Sequence, residues 1–170
     1  MKKITIAALV ILLLLSAAGC TNKTKQTQVY DVDSLSYTEL ESGMIYKASE
    51  LVIVDSFAYQ TYNNKTNVCY YLAVFYDSNG RLVAVNMPVY GSDDIYYELM
   101  NYSEDDSQVI GDCIVNCYVK ASTYVSDKDE VDQYFQEAIA TYSEVLGENM
   151  IPLDCAFYYH CGSTEDPLNQ

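Results

Sequence analysis

The sequence has little of what most catalytic sites require. It contains one histidine, His160, and no tryptophan. Any catalytic arrangement that needs a histidine base must therefore use His160. The sequence also has no G-x-S-x-G elbow, no P-loop and no G-x-G-x-x-G loop, so the common motifs for hydrolysis and nucleotide binding are missing. These absences predict that the protein is not an enzyme.

Basic residues are also scarce. Nine Lys and Arg oppose 24 Asp and Glu, which gives a formal net charge of −15 at pH 7. Nucleic-acid binding depends on Lys and Arg that neutralise phosphates and release their counterions. Because phosphate backbones repel a chain with this charge, we expect no nucleic-acid partner.

The apolar run near the start of the chain is too short to cross a membrane. It covers residues 4–15, where only Thr5 is polar, and it follows the cationic start Met1-Lys2-Lys3. A membrane-spanning helix needs about 20 apolar residues. A shorter run behind a cationic head is typical of the hydrophobic region of a secretory signal peptide.

Small residues lead from this run to a cysteine, in the order Ser16-Ala17-Ala18-Gly19-Cys20. The pattern resembles the lipobox of bacterial lipoproteins, although Ala17 stands where that class more often has Leu. The resemblance implies that the chain is cut before Cys20 and that the Cys20 thiol receives a diacylglyceryl group. Two acyl chains on one residue give stable membrane attachment. We therefore expect an extracytoplasmic protein, lipid-anchored to the outer face of the cytoplasmic membrane.

The composition divides the chain into four parts. Residues 1–19 form the predicted signal peptide, and residues 20–42 form the lipidated cysteine and a polar tether. Residues 43–162 carry the strand and helix patterns of a single globular domain. Residues 163–170 are predicted to be a loose tail.

The first half of the domain has the pattern of three antiparallel strands. Asn79-Gly80 is a strong hairpin signal between two of them, because both residue types accept positive φ. Pro88 donates no ladder hydrogen bond, so it should lie at a strand end or on a sheet edge. The three predicted strands are residues 45–59, 67–76 and 81–90.

The second half alternates helices and strands. Ser92 is a suitable cap for a short helix, and Ser126 caps a longer one over residues 127–146, which has a clear apolar stripe and ends at Gly147. Strands are predicted over residues 108–122 and 150–162.

The resulting order, β-β-β-α-β-α-β, resembles the OB fold with an additional helix. It is also similar to small β-barrel domains of Gram-positive surface proteins. The expected fold class is α+β, a five-stranded antiparallel OB-like barrel or strongly bent sheet with two helices. The alternative is an open antiparallel sheet with both helices on one face.

The five cysteines after Cys20 are an odd number, so at least one thiol stays unpaired. Two cysteines four or more positions apart on one strand lie well beyond the roughly 7 Å Cα separation of a disulfide. A bridge must therefore cross strands, and the alternative is buried reduced thiols. The candidates are Cys113 or Cys117 with Cys155 or Cys161. Their spacing does not match a zinc site, so we expect no metal and no cofactor.

Tyrosine is abundant, with 18 residues. It combines an apolar ring with a polar hydroxyl, so it serves both half-buried strand faces and binding surfaces. Our hypothesis is a lipid-anchored binding module whose partner is an envelope protein or an extracellular ligand. The alternative is a small hydrolase or thiol-redox factor that uses His160 or a free cysteine. The candidate ligand surface consists of Tyr59, Tyr62, Tyr71, Tyr90, Tyr97 and Tyr158.

Overall fold

The computed structural model describes residues 26, 28–63, 65–103 and 112–168. The predicted signal peptide and the predicted lipidation site Cys20 lie outside the described residues. Within the described ranges, no helix is long and apolar enough to cross a membrane.

The described residues contain seven strands: β1 (Tyr30–Asp31), β2 (Ile45–Tyr62), β3 (Lys65–Tyr76), β4 (Leu82–Tyr90), β5 (Ile114–Ser122), β6 (Ile151–Pro152) and β7 (Ala156–Gly162). They form one mixed sheet in the order β6-β4-β3-β2-β5-β7, with β1 added beside β2. Helix α1 (Tyr96–Ser103) follows β4, and helix α2 (Lys128–Leu146) follows β5.

The prediction of a five-stranded antiparallel barrel is wrong. The short strands β1 and β6 pair in parallel with β2 and β4, and the sheet is not closed, because its order starts at β6 and ends at β7. The segment predicted as one strand over residues 150–162 instead supplies both edges. Residues 153–155 carry the chain from β6, beside β4, to β7, beside β5. The alternation of apolar and polar residues predicts a strand, but it does not show at which edge of the sheet that strand lies.

The sheet is strongly curved, and bulges in β2 help to curve it. The register between β2 and β3 shifts at three places along the 18 residues of β2. As a result, β4 and β7 lie against each other although they are far apart in the strand order.

Both faces of the central strands are buried. The inner face holds the main core, which includes Leu51, Tyr71 and Phe157. The outer face is covered by α2, whose Phe135 and Ile139 pack with apolar residues of β3 and β4. Burying one large apolar side chain contributes about 1.5–3 kcal/mol. The predicted apolar stripe of α2 is confirmed. Because the main core covers one face of β4 and α2 covers the other, the residues from Leu82 to Val89 of β4 are all buried.

The hairpin between β3 and β4 is confirmed, although its turn is longer than two residues. The Asp77 N–H donates to the Arg81 carbonyl at 2.9 Å, and the Gly80 N–H donates to the Asp77 carbonyl at 2.8 Å. Gly80 has φ +71°, a left-handed conformation that favours glycine. Pro88 lies in the part of β4 that has no described strand partner on the side away from β3, so it occupies an edge as predicted.

The folded unit includes residues that the sequence assigned to the tether and to the tail. Tyr30 and Asp31 pair with β2, and Val32 is only 1 % exposed in the main core. In the tail, Pro167 is buried and its carbonyl contacts His160. The burial of Val32 and the pairing of Tyr30 and Asp31 hold the upstream segment on the sheet, and the predicted boundary at residue 43 excludes all three residues.

Candidate functional site

The structure separates the predicted ligand-surface tyrosines into exposed and buried groups. Tyr59, Tyr62 and Tyr97 are each 71 % exposed, and Tyr90 is 38 % exposed. Tyr71 is fully buried in the main core, so its assignment to a ligand surface is wrong. In the pair Tyr70-Tyr71 one ring points to each side of β3, and here both sides are covered.

Three of the exposed tyrosines, Tyr59, Tyr62 and Tyr90, lie on the strands that flank the first half of β3. In the β2–β3 hairpin, Tyr62 pairs with Lys65 and Tyr59 pairs with Cys69. Across the other edge of β3, Val68 pairs with Tyr90, the last residue of β4. We call these three tyrosines, together with Tyr97 beside Tyr90 and with Tyr158 and Tyr124, which connect to Tyr90, the tyrosine surface. It consists of Tyr59, Tyr62, Tyr90, Tyr97, Tyr124 and Tyr158.

A cleft of about 380 Å³ lies within the tyrosine surface. The Gly91 N–H donates to the Asn67 carbonyl at 2.9 Å, which holds the loop after β4 against β3. The Asp93 carboxylate accepts from the Tyr90 N–H at 2.7 Å and shapes the same loop. The cleft is lined by Lys65, Asn67, Tyr90, Gly91, Ser92, Tyr96 and Tyr97.

A tyrosine stack joins the two edges of the curved sheet. The rings of Tyr90 on β4 and Tyr158 on β7 are 6.1 Å apart between centroids and 23° from parallel. The Tyr158 hydroxyl donates to the Tyr124 carbonyl at 2.8 Å, which fixes the second ring. Burial raises the pKa of the Tyr158 hydroxyl, and it also raises the pKa of neighbouring Tyr70 to about 12. These hydroxyls therefore remain protonated hydrogen-bond donors at neutral pH.

Tyr96 and Tyr97 have different environments at the start of α1. Tyr96 is 4 % exposed and packs edge-on against Tyr97, with ring centroids 5.3 Å apart. Burial and the neighbouring thiol of Cys69 raise the pKa of Tyr96 to about 12. Tyr96 thus anchors the helix in the core, while Tyr97 projects into the cleft.

The four predicted disulfide candidates, Cys113, Cys117, Cys155 and Cys161, are free thiols in the described structure. Burial raises the pKa of Cys117 to about 12 and that of Cys155 to about 11, and it also raises the pKa of Cys113 and Cys161. Since the thiolate is the reactive form, these protonated thiols are poor nucleophiles at neutral pH. Their environment favours packing over redox chemistry.

His160 makes a structural hydrogen bond. Its Nε2 lies 3.0 Å from the carbonyl oxygen of Pro167, so Nε2 is the donor. A catalytic base of the Ser-His-Asp type is instead oriented by a carboxylate. Among the described residues, no group of three or more His, Cys, Asp and Glu side chains is arranged to hold a metal ion.

Sequence reasoning missed Tyr124, which is 73 % exposed, and the polar residues of the cleft. The available signal was the combination of Tyr with Asn over residues 59–67 and of Tyr with Gly and Ser over residues 90–97.

Comparisons with protein families, curated proteins and solved structures found no match to this chain.

Proposed function

We propose that the protein is an extracytoplasmic binding module, anchored by lipid at Cys20, whose tyrosine surface binds a protein partner in the cell envelope. The observation that carries this proposal is the Tyr90–Tyr158 stack beside a cleft rimmed by exposed tyrosines. Tyr97 is 71 % exposed at this rim.

The residue types of the tyrosine surface support a protein partner. Tyrosine supplies a large, rigid contact area at low entropic cost, while Ser, Gly and Asn supply adaptable hydrogen bonds. Both kinds of residue line the cleft, where Asn67, Gly91 and Ser92 accompany the rings. Large exposed aromatic patches on a folded domain are typical of interaction sites.

The path of the chain separates part of this surface from the anchor. The Gln26 side chain exchanges hydrogen bonds with the Ile45 backbone at 2.6 and 2.8 Å, so the chain from the anchor arrives at the start of β2. Tyr59 and Tyr62 lie at the other end of the same 18-residue strand. The part of the surface formed by Tyr59 and Tyr62 is therefore separated along β2 from the point where the anchored chain arrives, which leaves this part accessible to a partner.

The proposal is tested with a photo-crosslinking residue, p-benzoylphenylalanine, placed at Tyr97 or at Tyr134 of the full-length lipoprotein in its native membrane. Tyr134 is 41 % exposed on α2 and serves as the matched control. We expect one discrete protein adduct from position 97, its loss in the Tyr90→Ala background, and no such adduct from position 134.

Equal adducts from both positions, or none from position 97, would overturn the proposal. Co-sedimentation with purified cell-wall glycan without a protein adduct would show that the surface binds carbohydrate, and the protein-partner proposal would then be wrong.

A further inference from the structure

A second cleft lies on the outer face of the sheet, between the first turns of α2 and the strands β4 and β7. Its volume is about 330 Å³. We call it the Asn86 cleft. Its lining includes Asn86, Val125, Lys128, Phe135, Gln136 and Ala156.

The distinctive group in this cleft is a buried amide. Asn86 is 5 % exposed and pairs with Leu72 of β3, within the stretch Leu82 to Val89 of β4, which is otherwise apolar and is buried throughout. Within the described residues, its Oδ1 atom has no hydrogen-bond partner. Buried polar groups normally have a partner, and exceptions call for an explanation such as a missing ligand.

The size of the cleft argues for more than a single water. One water occupies about 30 Å³ of liquid. The Asn86 cleft is about ten times larger, at the lower end of the roughly 300–1,000 Å³ range of small-molecule sites. Apolar walls come from Val125, Phe135 and Ala156. The polar and charged residues of the lining are Asn86, Thr123, Lys128, Asp132, Gln136 and Asp154.

The charges around the cleft favour a neutral ligand. The charged residues of the lining are Lys128, Asp132 and Asp154. Lys128 forms an ion pair with Asp132, and Asp154 is exposed to solvent, which screens its charge. The strongly acidic chain further disfavours an anion.

The polar groups of the wall select a ligand that donates hydrogen bonds. Lys128 already donates to Asp132 at 2.6 Å, so it is engaged within the wall. The acceptors in the lining include the amide oxygen of Asn86 and the carboxylate of Asp154.

We propose that the Asn86 cleft binds a small neutral polyhydroxyl compound, of monosaccharide size, with one hydroxyl hydrogen-bonded to the side-chain amide of Asn86. Hydroxyls both donate and accept, so they also satisfy Gln136 and Thr123 in the lining. The carbon-bound face of a sugar or cyclic polyol packs on the apolar wall. This site is separate from the tyrosine surface and does not depend on the function proposed there.

The test uses the full-length lipoprotein in detergent and measures binding by saturation-transfer NMR and titration calorimetry. The probes are glucose, N-acetylglucosamine and inositol, with glucosamine and glucuronate as the cationic and anionic counterparts. We expect at least one neutral probe to bind, and we expect Asn86→Leu to weaken its binding about tenfold, which corresponds to one lost hydrogen bond.

Two further variants complete the test. Asn116→Leu makes the same chemical change at an exposed position of β5 and should leave affinity unchanged. Gln136→Ala removes an exposed polar group of the lining, so it tests the site even if Asn86→Leu fails to fold. The proposal is overturned if no neutral probe binds more tightly than about 1 mM, if only a charged probe binds, or if neither lining variant weakens binding.

Discussion

Two buried polar side chains on the same hairpin have opposite environments. Asp77, in the turn after β3, is 4 % exposed, and Asn86, in the middle of β4, is 5 % exposed. The Asp77 carboxylate accepts from the backbone N–H groups of Tyr37, Asn79 and Arg81, at 3.3, 2.9 and 2.9 Å. Oδ1 of Asn86 has no partner among the described residues.

The difference separates a structural polar group from a functional one. A buried acceptor that receives several N–H groups stabilises the fold, whereas an unsatisfied one costs about 1–3 kcal/mol. Local inconsistencies of this kind are expected mainly at functional sites. The comparison therefore assigns Asp77 to stability and Asn86 to ligand binding.

Asp77 also connects distant parts of the chain. Through the N–H of Tyr37 it holds the upstream segment against the β3–β4 turn. Arg81 reinforces the same contact, because its Nε lies 3.5 Å from the Asp77 carboxylate and its guanidinium lies over the Tyr37 ring.

The largest expected effect is that of Asp77→Ala. Because the variant leaves three backbone N–H groups without their acceptor, we expect it to reduce the free energy of unfolding by about 3 kcal/mol. Urea denaturation of the full chain measures this loss. Asp129→Ala, at an exposed position of α2, is the control and should change stability by less than about 0.5 kcal/mol. A loss below about 1 kcal/mol for Asp77→Ala would contradict the structural role.

The pH dependence of the same site should be next in size. Burial alone would raise the pKa of Asp77, but the N–H donors of Arg81, Tyr37 and Asn79 outweigh it and lower the pKa below its ordinary value of 3.8. The stabilisation is therefore present above pH 3.8 and is lost as the pH falls through the lower, folded-state pKa.

The measurement compares the wild type with Asp77→Asn by urea denaturation from pH 7 down to pH 3. We expect the stability difference between the two proteins to be constant near neutral pH and to shrink below about pH 4. A difference that is unchanged over the whole range would mean that the charge of Asp77 contributes nothing.

Local sequence patterns were enough to predict the secondary structure around Asp77. Asn79-Gly80 located the hairpin, and the alternation on either side located β3 and β4. The same was true of α2, whose apolar stripe and terminal Gly147 are visible in the sequence. These features depend on residues close to one another along the chain.

The features that depend on distant pairing could not be predicted. Two residues of β6 pair with β4, and nothing in their local sequence distinguishes them from the start of β7. Tyr71 and Asn86 have residue types that suggest exposure, but the curved sheet and α2 bury both faces of their strands. The Asn86 cleft therefore had no signal in the sequence.

A smaller effect is expected for Gly80→Ala in the turn that Asp77 organises. A Cβ at Gly80 meets nothing within 4 Å, so the cost comes from the left-handed conformation at φ +71° and should be about 1 kcal/mol. Gly162→Ala is the matched control, because Gly162 does not have a left-handed φ and its Cβ would only contact the Tyr159 hydroxyl at 3.9 Å. Thermal unfolding of both variants measures the difference, and equal midpoints would rule out strain at Gly80.

The smallest expected effect on stability is that of Asn86→Leu, and its sign should be opposite to that of Asp77→Ala. Leucine has nearly the shape of asparagine and removes an acceptor that has no partner, so stability should stay the same or rise by about 1 kcal/mol. Urea denaturation without added ligand gives this value, with Asn116→Leu on the exposed face of β5 as the control. A loss above about 1 kcal/mol would show that the amide is satisfied within the fold, because only a partnered group is costly to remove. The two buried side chains would then both be structural, and the argument for a ligand in the Asn86 cleft would lose its basis.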